Sequence, residues 1–184
     1  MMGARFRTIC AGLIGVVAVG VLASRYLVAA AGTAELTANT RRLIGRRLGT
    51  PQLRRAQDTV AQQVHFTSSR RHALLIFTPE CPACRLARPQ WEALASELPV
   101  GATIDAVSLR PDNSDRDTLR FFSHPSIREW HGNAGTLIRL IPTGVVPITI
   151  IVSPGGTIER AEAGVPSRKA IKELRDLLIG TDAR

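Results

Sequence analysis

Hydrophobic positions divide the chain into three zones. The first is nearly continuous. Thr8 to Ser24 carries no charge, Arg25 interrupts, and apolar residues resume from Tyr26 to Ala31. A helix over 9–31 has 23 residues. At about 1.5 Å of rise per residue it spans a hydrocarbon core of roughly 30 Å, with Arg25 and Tyr26 near one interface. The second zone, 33–71, is sparse. Thr40 is placed to cap a short helix carrying Leu43 and Ile44, and Gly49-Thr50-Pro51 breaks the chain. Leu53, Val60 and Val64 predict a further helix over Gln52 to Val64. The third zone, 72–184, alternates between strand and helix signals. Ala73 to Phe77 is an unbroken apolar run, as in a strand buried on both faces. A helical pattern follows on Leu86, Ala87, Trp91, Leu94 and Leu98. Ala102 to Leu109 reads as a strand, Asp112 to Phe122 as a helix and Ser126 to His131 as a short turn. Pro147 to Val152 and Thr157 to Glu162 flank the turn Ser153-Pro154-Gly155-Gly156 and predict a hairpin. Pro166-Ser167 opens a last helix with Ile171, Leu174, Leu177 and Leu178 on one face, closed by Gly180. The predicted order from residue 72 is strand, helix, strand, helix, strand, strand, helix. That order describes an α/β domain with helices on both faces of a central mixed sheet.

Charge sharpens the division. Residues 1–71 hold eleven arginines against Glu35 and Asp58, whereas 72–184 are neutral overall, so the front carries the whole net charge of +9. A nucleic-acid module carries its basic footprint on the folded domain, with aromatics for stacking. Here the basic part has only Phe6, Tyr26 and Phe66, so no nucleic-acid partner is expected. A solvated arm, or one lying on anionic lipid, fits better. The segment 1–32 is expected to be an uncleaved signal anchor, or a signal peptide cut after Ala29-Ala30-Ala31. Residues 33–71 are expected to be an arginine-rich helical connector, and 72–184 the main domain. The expected location is the inner membrane as a single-pass protein with its domain in the periplasm, or secretion if the leader is cut. Arg41, Arg42, Arg46 and Arg47 after the apolar segment pull the other way under the positive-inside rule.

Three cysteines are too few for a disulfide scaffold. Cys10 lies in the apolar run and reads as packing, and Arg7-Thr8-Ile9 do not resemble a lipoprotein cleavage box. Cys81-Pro82-Ala83-Cys84 is different, because it stands between a buried strand and a helix. A helix N-terminus offers unpaired N–H groups and partial positive charge, which favour thiolate at Cys81. Cys84 lies one turn further in, shielded and placed to attack a mixed disulfide. Pro82 suits an early helical position. Half a zinc site is the competing reading, but no second cysteine pair exists and His65, His72, His124 and His131 lack ligand spacing. No metal or cofactor is expected. Trp91 and Trp130 read as core packing.

The region 72–180 resembles the thioredoxin superfamily. The resemblance rests on the Cys81–Cys84 pair, Pro89 five residues later, Val146-Pro147-Ile148 at the head of a strand, and the final hairpin and helix. It implies a thioredoxin-like fold, a redox-active disulfide between Cys81 and Cys84, and a cis Pro147 facing the pair, with Val146 beside the substrate. With 66 positions from Cys81 to Pro147 there is room for an insertion over 111–140. Together with the N-terminal segment, the chain is similar to membrane-anchored extracytoplasmic proteins of the TlpA/ResA type. That similarity implies reduction of protein disulfides, including those of apocytochromes c, and an unidentified dithiol electron donor.

Two departures bear on the chemistry. Glu80 replaces the usual Trp before the first cysteine, and its charge opposes thiolate at Cys81. Leu75 falls where many thioredoxins bury an acid. Two other functions stay open. Thr78-Pro79-Glu80-Cys81 resembles the peroxidatic motif of peroxiredoxins, with Leu74 where that motif has Pro. A thioredoxin-fold copper chaperone would need a wider cysteine spacing and a histidine such as His124 or His131.

Overall fold

The computed structural model describes residues 40–55, 60–66, 70–99, 102, 104–109, 120–132 and 145–180. The segment 1–32 and the helix expected from Asp112 lie outside the described residues, apart from Arg120, Phe121 and Phe122 at that helix's end, which are not helical. Seven strands form one sheet: β1 (Gln52–Arg55), β2 (Gln62–Gln63), β3 (His72–Phe77), β4 (Ile104–Leu109), β5 (Ile127–Gly132), β6 (Ile148–Val152) and β7 (Ile158–Ala163). Their order is β2-β1-β5-β4-β3-β6-β7. The central strands β3, β4 and β5 run parallel, and the other pairs are antiparallel. The sheet is therefore mixed, and β3 is an interior strand between β4 and β6 with all six side chains buried.

Helices α1 (Pro82–Glu97) and α2 (Arg168–Ile179) share one face. There Ala87, Trp91 and Leu94 of α1 and Ile171 and Leu174 of α2 pack on Ala73, Leu75, Phe77, Ile104, Ala106 and Ile151. Burying a side chain of this size contributes about 1.5–3 kcal/mol. Local signals set the ends of α2. Ser167 accepts a hydrogen bond from the Ala170 N–H, and Gly180 takes the left-handed conformation at φ 77°. Arg175 reaches Glu97 at 2.8 Å and ties the two helices together.

The opposite face departs from the sequence reading. Among the described residues before β3 only Thr40 and Arg41 are helical, and no full helix covers this face. Leu43, Leu48, Leu53, Val64 and Phe66 do so, packed on Leu74, Ile76, Val107, Trp130, Ile148 and Ile150. The expected helical connector over 33–71 is thus part of the sheet domain from residue 40 onward, and the helix expected over Gln52 to Val64 is replaced by β1 and β2. Leu53 is buried on β1, and Val64 and Phe66 are buried two residues apart with His65 exposed between them. Val60, which completed the helical spacing, is 74% exposed. The turn read at Ser126 to His131 is also corrected, since Ile127–Gly132 is β5. Its alternation was hidden because Glu129 is buried. That carboxylate accepts the N–H groups of Phe121 and Phe122 at 3.0 and 2.7 Å. On the other face, Asp105 accepts from Trp130 Nε1 at 2.7 Å and from Arg128 at 3.0 and 2.9 Å, so this buried acid is also fully partnered.

His72 opens β3 against this second face. Its ring stacks on Phe66 at 5.9 Å, and neither ring nitrogen has a hydrogen-bond partner among the described residues. Burial holds its pKa below the ordinary 6.5, Asp105 pulls it up and Arg128 pushes it down. The folded state therefore binds fewer protons than the unfolded chain. Stability is full above the unfolded pKa and falls as pH drops through it toward the lower folded value. Urea midpoints are expected to fall between about pH 7.5 and 5.5, and His72→Phe to flatten that slope. An unchanged slope in the variant would assign the effect elsewhere.

Candidate active site

The cysteine pair follows the end of β3, an interior strand of the sheet. Cys81 is the N-cap of α1, with extended backbone at φ −69° and ψ 120°, and Pro82 occupies the first turn, where its missing N–H costs nothing. The turn is closed by Cys81 N–H to the Thr78 carbonyl at 3.1 Å and Arg85 N–H to the Cys81 carbonyl at 3.2 Å. This geometry aims the Cys84 N–H at the Cys81 sulfur, 3.4 Å away. Negative charge on that sulfur, as attacking or leaving group, meets a backbone donor and the positive end of the helix.

The two thiols are both free but differ in access. Cys81 is half-buried, whereas Cys84 is wholly buried beside Ala87 and Phe77. Burial pushes the Cys84 thiol up from 9.0 to about 12, with the neighbouring Cys81 adding to the rise and a hydrogen bond to the Thr78 backbone opposing it. One sulfur is thus reachable from solvent, and the other is held protonated behind it.

The structure also brings Val146 and Pro147 to this site. The Val146 carbonyl accepts from Cys81 Sγ at 3.7 Å, and the Val146–Pro147 peptide is cis. All four residues expected at the site therefore converge: Cys81 and Cys84 from the β3–α1 junction, Val146 and Pro147 from the entry to β6. Glu80 is exposed, and Leu75 is buried among apolar side chains with no acid in its place. Among the described residues no cluster of three His, Cys, Asp or Glu side chains could hold a metal ion.

Sequence reasoning missed the parts that fix these two elements relative to each other. Trp91 Nε1 donates to Thr149 Oγ1 at 2.9 Å, and both residues are buried. This bond joins α1, which Cys81 caps, to β6, which begins just after Pro147. The periodicity of α1 marks Trp91 as a core residue, but nothing local marks Thr149 as its partner. A second brace lies along the rim. Glu92 Oε1 accepts from Arg88 at 3.1 Å and from the Ser123 N–H at 2.8 Å, and Arg88 also donates to Ser123 Oγ at 2.6 Å. Arg88 then lies 5.6 Å from the ring centre of Phe121, which packs on Phe77 at 4.6 Å. The i, i+4 spacing of Arg88 and Glu92 was the one visible sign of this brace.

No protein-family model and no curated protein matches the sequence. Solved structures do match in three dimensions. A thio-disulfide isomerase from Thermus thermophilus superposes with a TM-score of 0.59 at 16% identity, covering 77% of this chain and 98% of its own. The pneumococcal exposed lipoprotein thioredoxin Etrx1 from Streptococcus pneumoniae gives 0.56 at 14% identity, covering 70% and 98%. StoA from Bacillus subtilis gives 0.52 at 14% identity, covering 69% and 96%. The chain has a thioredoxin-like fold. The Cys81–Cys84 pair opens α1 and the Val146–Pro147 peptide is cis just before β6. At these identities the likeness is one of architecture, so the chemistry has to be argued from this chain's own residues.

Proposed function

We propose that this protein is a thiol–disulfide oxidoreductase that reduces disulfides of extracytoplasmic proteins through Cys81 and Cys84. The observation that carries the proposal is the asymmetry of the pair: an accessible sulfur at a helix N-cap, with a backbone N–H on it, and a buried thiol one turn behind. Proteins named as a thio-disulfide isomerase and a lipoprotein thioredoxin share the architecture, which supports the same reading.

The Cys81 thiolate attacks one sulfur of a substrate disulfide. An S–S bond forms between Cys81 and the substrate, and the other substrate sulfur leaves as a thiolate. Cys84 then loses its proton to that departing thiolate and attacks Cys81 Sγ. The second substrate sulfur leaves as a thiolate and takes from solvent the proton that Cys81 released on ionising, and a Cys81–Cys84 disulfide remains. The substrate gains two electrons and two protons, and the protein loses them. An external dithiol restores the pair by the reverse exchange. The Val146 carbonyl lies against the attacking sulfur, and Val146 with the cis Pro147 is assigned to contact the substrate segment that carries the disulfide. Ala83 brings no cation or side-chain donor to the Cys81 sulfur, which favours a reductant over an oxidant.

We place the protein in the inner membrane through segment 9–31, with Cys81 on the periplasmic side. Apocytochrome c disulfides are one substrate that the resemblance to TlpA/ResA proteins suggests. Turnover tests the reading. With a dithiol supplied, the full chain is expected to reduce insulin disulfides and to consume hydrogen peroxide no faster than the dithiol alone. Peroxide turnover without insulin reduction would instead assign Cys81 to a thiol peroxidase.

A further inference from the structure

The front of the chain is where the charge lies, and the structure shows where part of that charge ends up. Residues 45–48 run along the start of β7. The Gly45 N–H bonds to the Ile158 carbonyl at 2.8 Å, Ile158 N–H to Arg46 at 2.9 Å, and Leu48 N–H to Gly156 at 2.8 Å. Gly45 makes the turn into this ladder at φ 83°, a conformation that side chains with a Cβ rarely adopt. Leu43 and Leu48 are buried in the core below, so the segment is fixed to the domain rather than free of it.

This end of the sheet is the one away from the cysteines. The β6–β7 turn lies beside the start of β3, where His72 pairs with Val152, while Cys81 follows the far end of β3. Six residues of strand separate the two ends, about 17 Å at roughly 3.3 Å per residue. Arg46 and Arg47 are exposed here, with Arg47 Nε donating to the Gly155 carbonyl at 3.2 Å, Arg41 and Arg42 are exposed on the turn that leads into Gly45, and Arg70, just before β3, is exposed at the same end. The neighbouring acid Glu159 is held by Arg71 at 2.6 Å. Among these arginines Ile44 is 48% exposed, although Leu43 beside it is buried. An apolar side chain turned outward among arginines can enter the acyl boundary while the guanidinium groups hold phosphates.

We propose that this end of the domain, built from Arg41, Arg42, Ile44, Arg46 and Arg47, docks on an anionic lipid bilayer. Docking there directs Cys81 away from the membrane, toward soluble protein substrates. The surface is separate from the redox site and does not depend on the redox reading. It also acts whether or not segment 9–31 spans the bilayer.

The test uses the full chain carrying Ile44→Trp, mixed with vesicles whose acyl chains are brominated. The two native tryptophans, Trp91 and Trp130, are buried and give a constant background. Quenching of the new indole is expected on vesicles of phosphatidylcholine with phosphatidylglycerol, and not on phosphatidylcholine alone. It should vanish at about 1 M salt, where the Debye length is about 3 Å. Each arginine changed to Gln should weaken docking about fivefold, the factor that corresponds to about 1 kcal/mol per basic residue. Changing Arg41, Arg42 and Arg46 together to Gln should reduce quenching to the neutral-lipid level. The same three changed to Lys should preserve it, and all variants should keep insulin reduction. Flotation with neutral vesicles reports segment 9–31 separately. Equal quenching on neutral and anionic vesicles, no quenching on either, or persistence in the Gln variant would overturn the proposal. Displacement from the vesicles by duplex DNA at the same salt would overturn it in favour of nucleic acid.

Discussion

Cys81→Ser is expected to abolish disulfide reduction, leaving insulin turnover at the rate of the supplied dithiol alone. The loss follows from access. Cys84 is wholly buried and its thiol is pushed up to about 12, so at neutral pH it supplies almost no thiolate and meets no substrate. A buried thiol of that kind cannot replace the accessible one, and turnover should fall by at least about a hundredfold. Cys10→Ser should change nothing, because the proposed cycle makes no use of that thiol. The Cys81→Ser domain should remain folded, since the side chain lies at a helix cap where Ser also accepts an N–H bond. Reductase activity retained by both single cysteine variants would show that another site carries it.

The second large effect concerns stability. Trp91 is wholly buried, it packs at 5.9 Å from Phe122, and its indole N–H reaches Thr149. Trp91→Ala removes the largest side chain between α1 and the sheet and leaves Thr149 Oγ1 without its donor. A cost of about 3–5 kcal/mol is expected, read as a fall in the urea midpoint. Trp91→Phe keeps most of the packing and loses the donor, so it should cost about 1–3 kcal/mol. The two variants separate the packing from the bond that holds α1 against β6. If Trp91→Phe lowered stability as much as Trp91→Ala, the bond would carry most of the effect. If it cost nothing, Thr149 would have found another partner.

The parts of this fold that could be read from sequence are those with local causes. The apolar run of β3, the Ser153–Gly156 turn and the capped helix α2 each carry their own signals, and each lies within a residue or two of where it was expected. What could not be read depends on distant partners. β1 and β2 carry mostly polar residues, and Leu53, Val64 and Phe66 become core residues only because the sheet's second face lies open to them. β5 carries Arg128 and Glu129, whose partners Asp105 and the Phe121–Phe122 backbone lie on other segments. Without those partners the strand looks like a polar turn.

The site divides in the same way. Cys81 and Cys84 could be singled out by spacing and by their place before a helix. Val146 lies 65 residues beyond Cys81, and only the resemblance to a known family brought it and Pro147 to the pair. The Trp91–Thr149 bond spans 58 residues, and no periodicity in either segment reveals it.

The most direct measurement is the mass of what Cys84→Ser captures. Removing the resolving thiol should halt the cycle after the first attack. The variant, mixed with an oxidised peptide disulfide, is then expected to gain the mass of one peptide chain on the tryptic fragment that contains Cys81. A reductant should release that chain, and Cys81→Ser should capture none. A Cys84→Ser protein that gains no peptide, or gains only oxygen at Cys81 when peroxide is added, would contradict a dithiol–disulfide cycle.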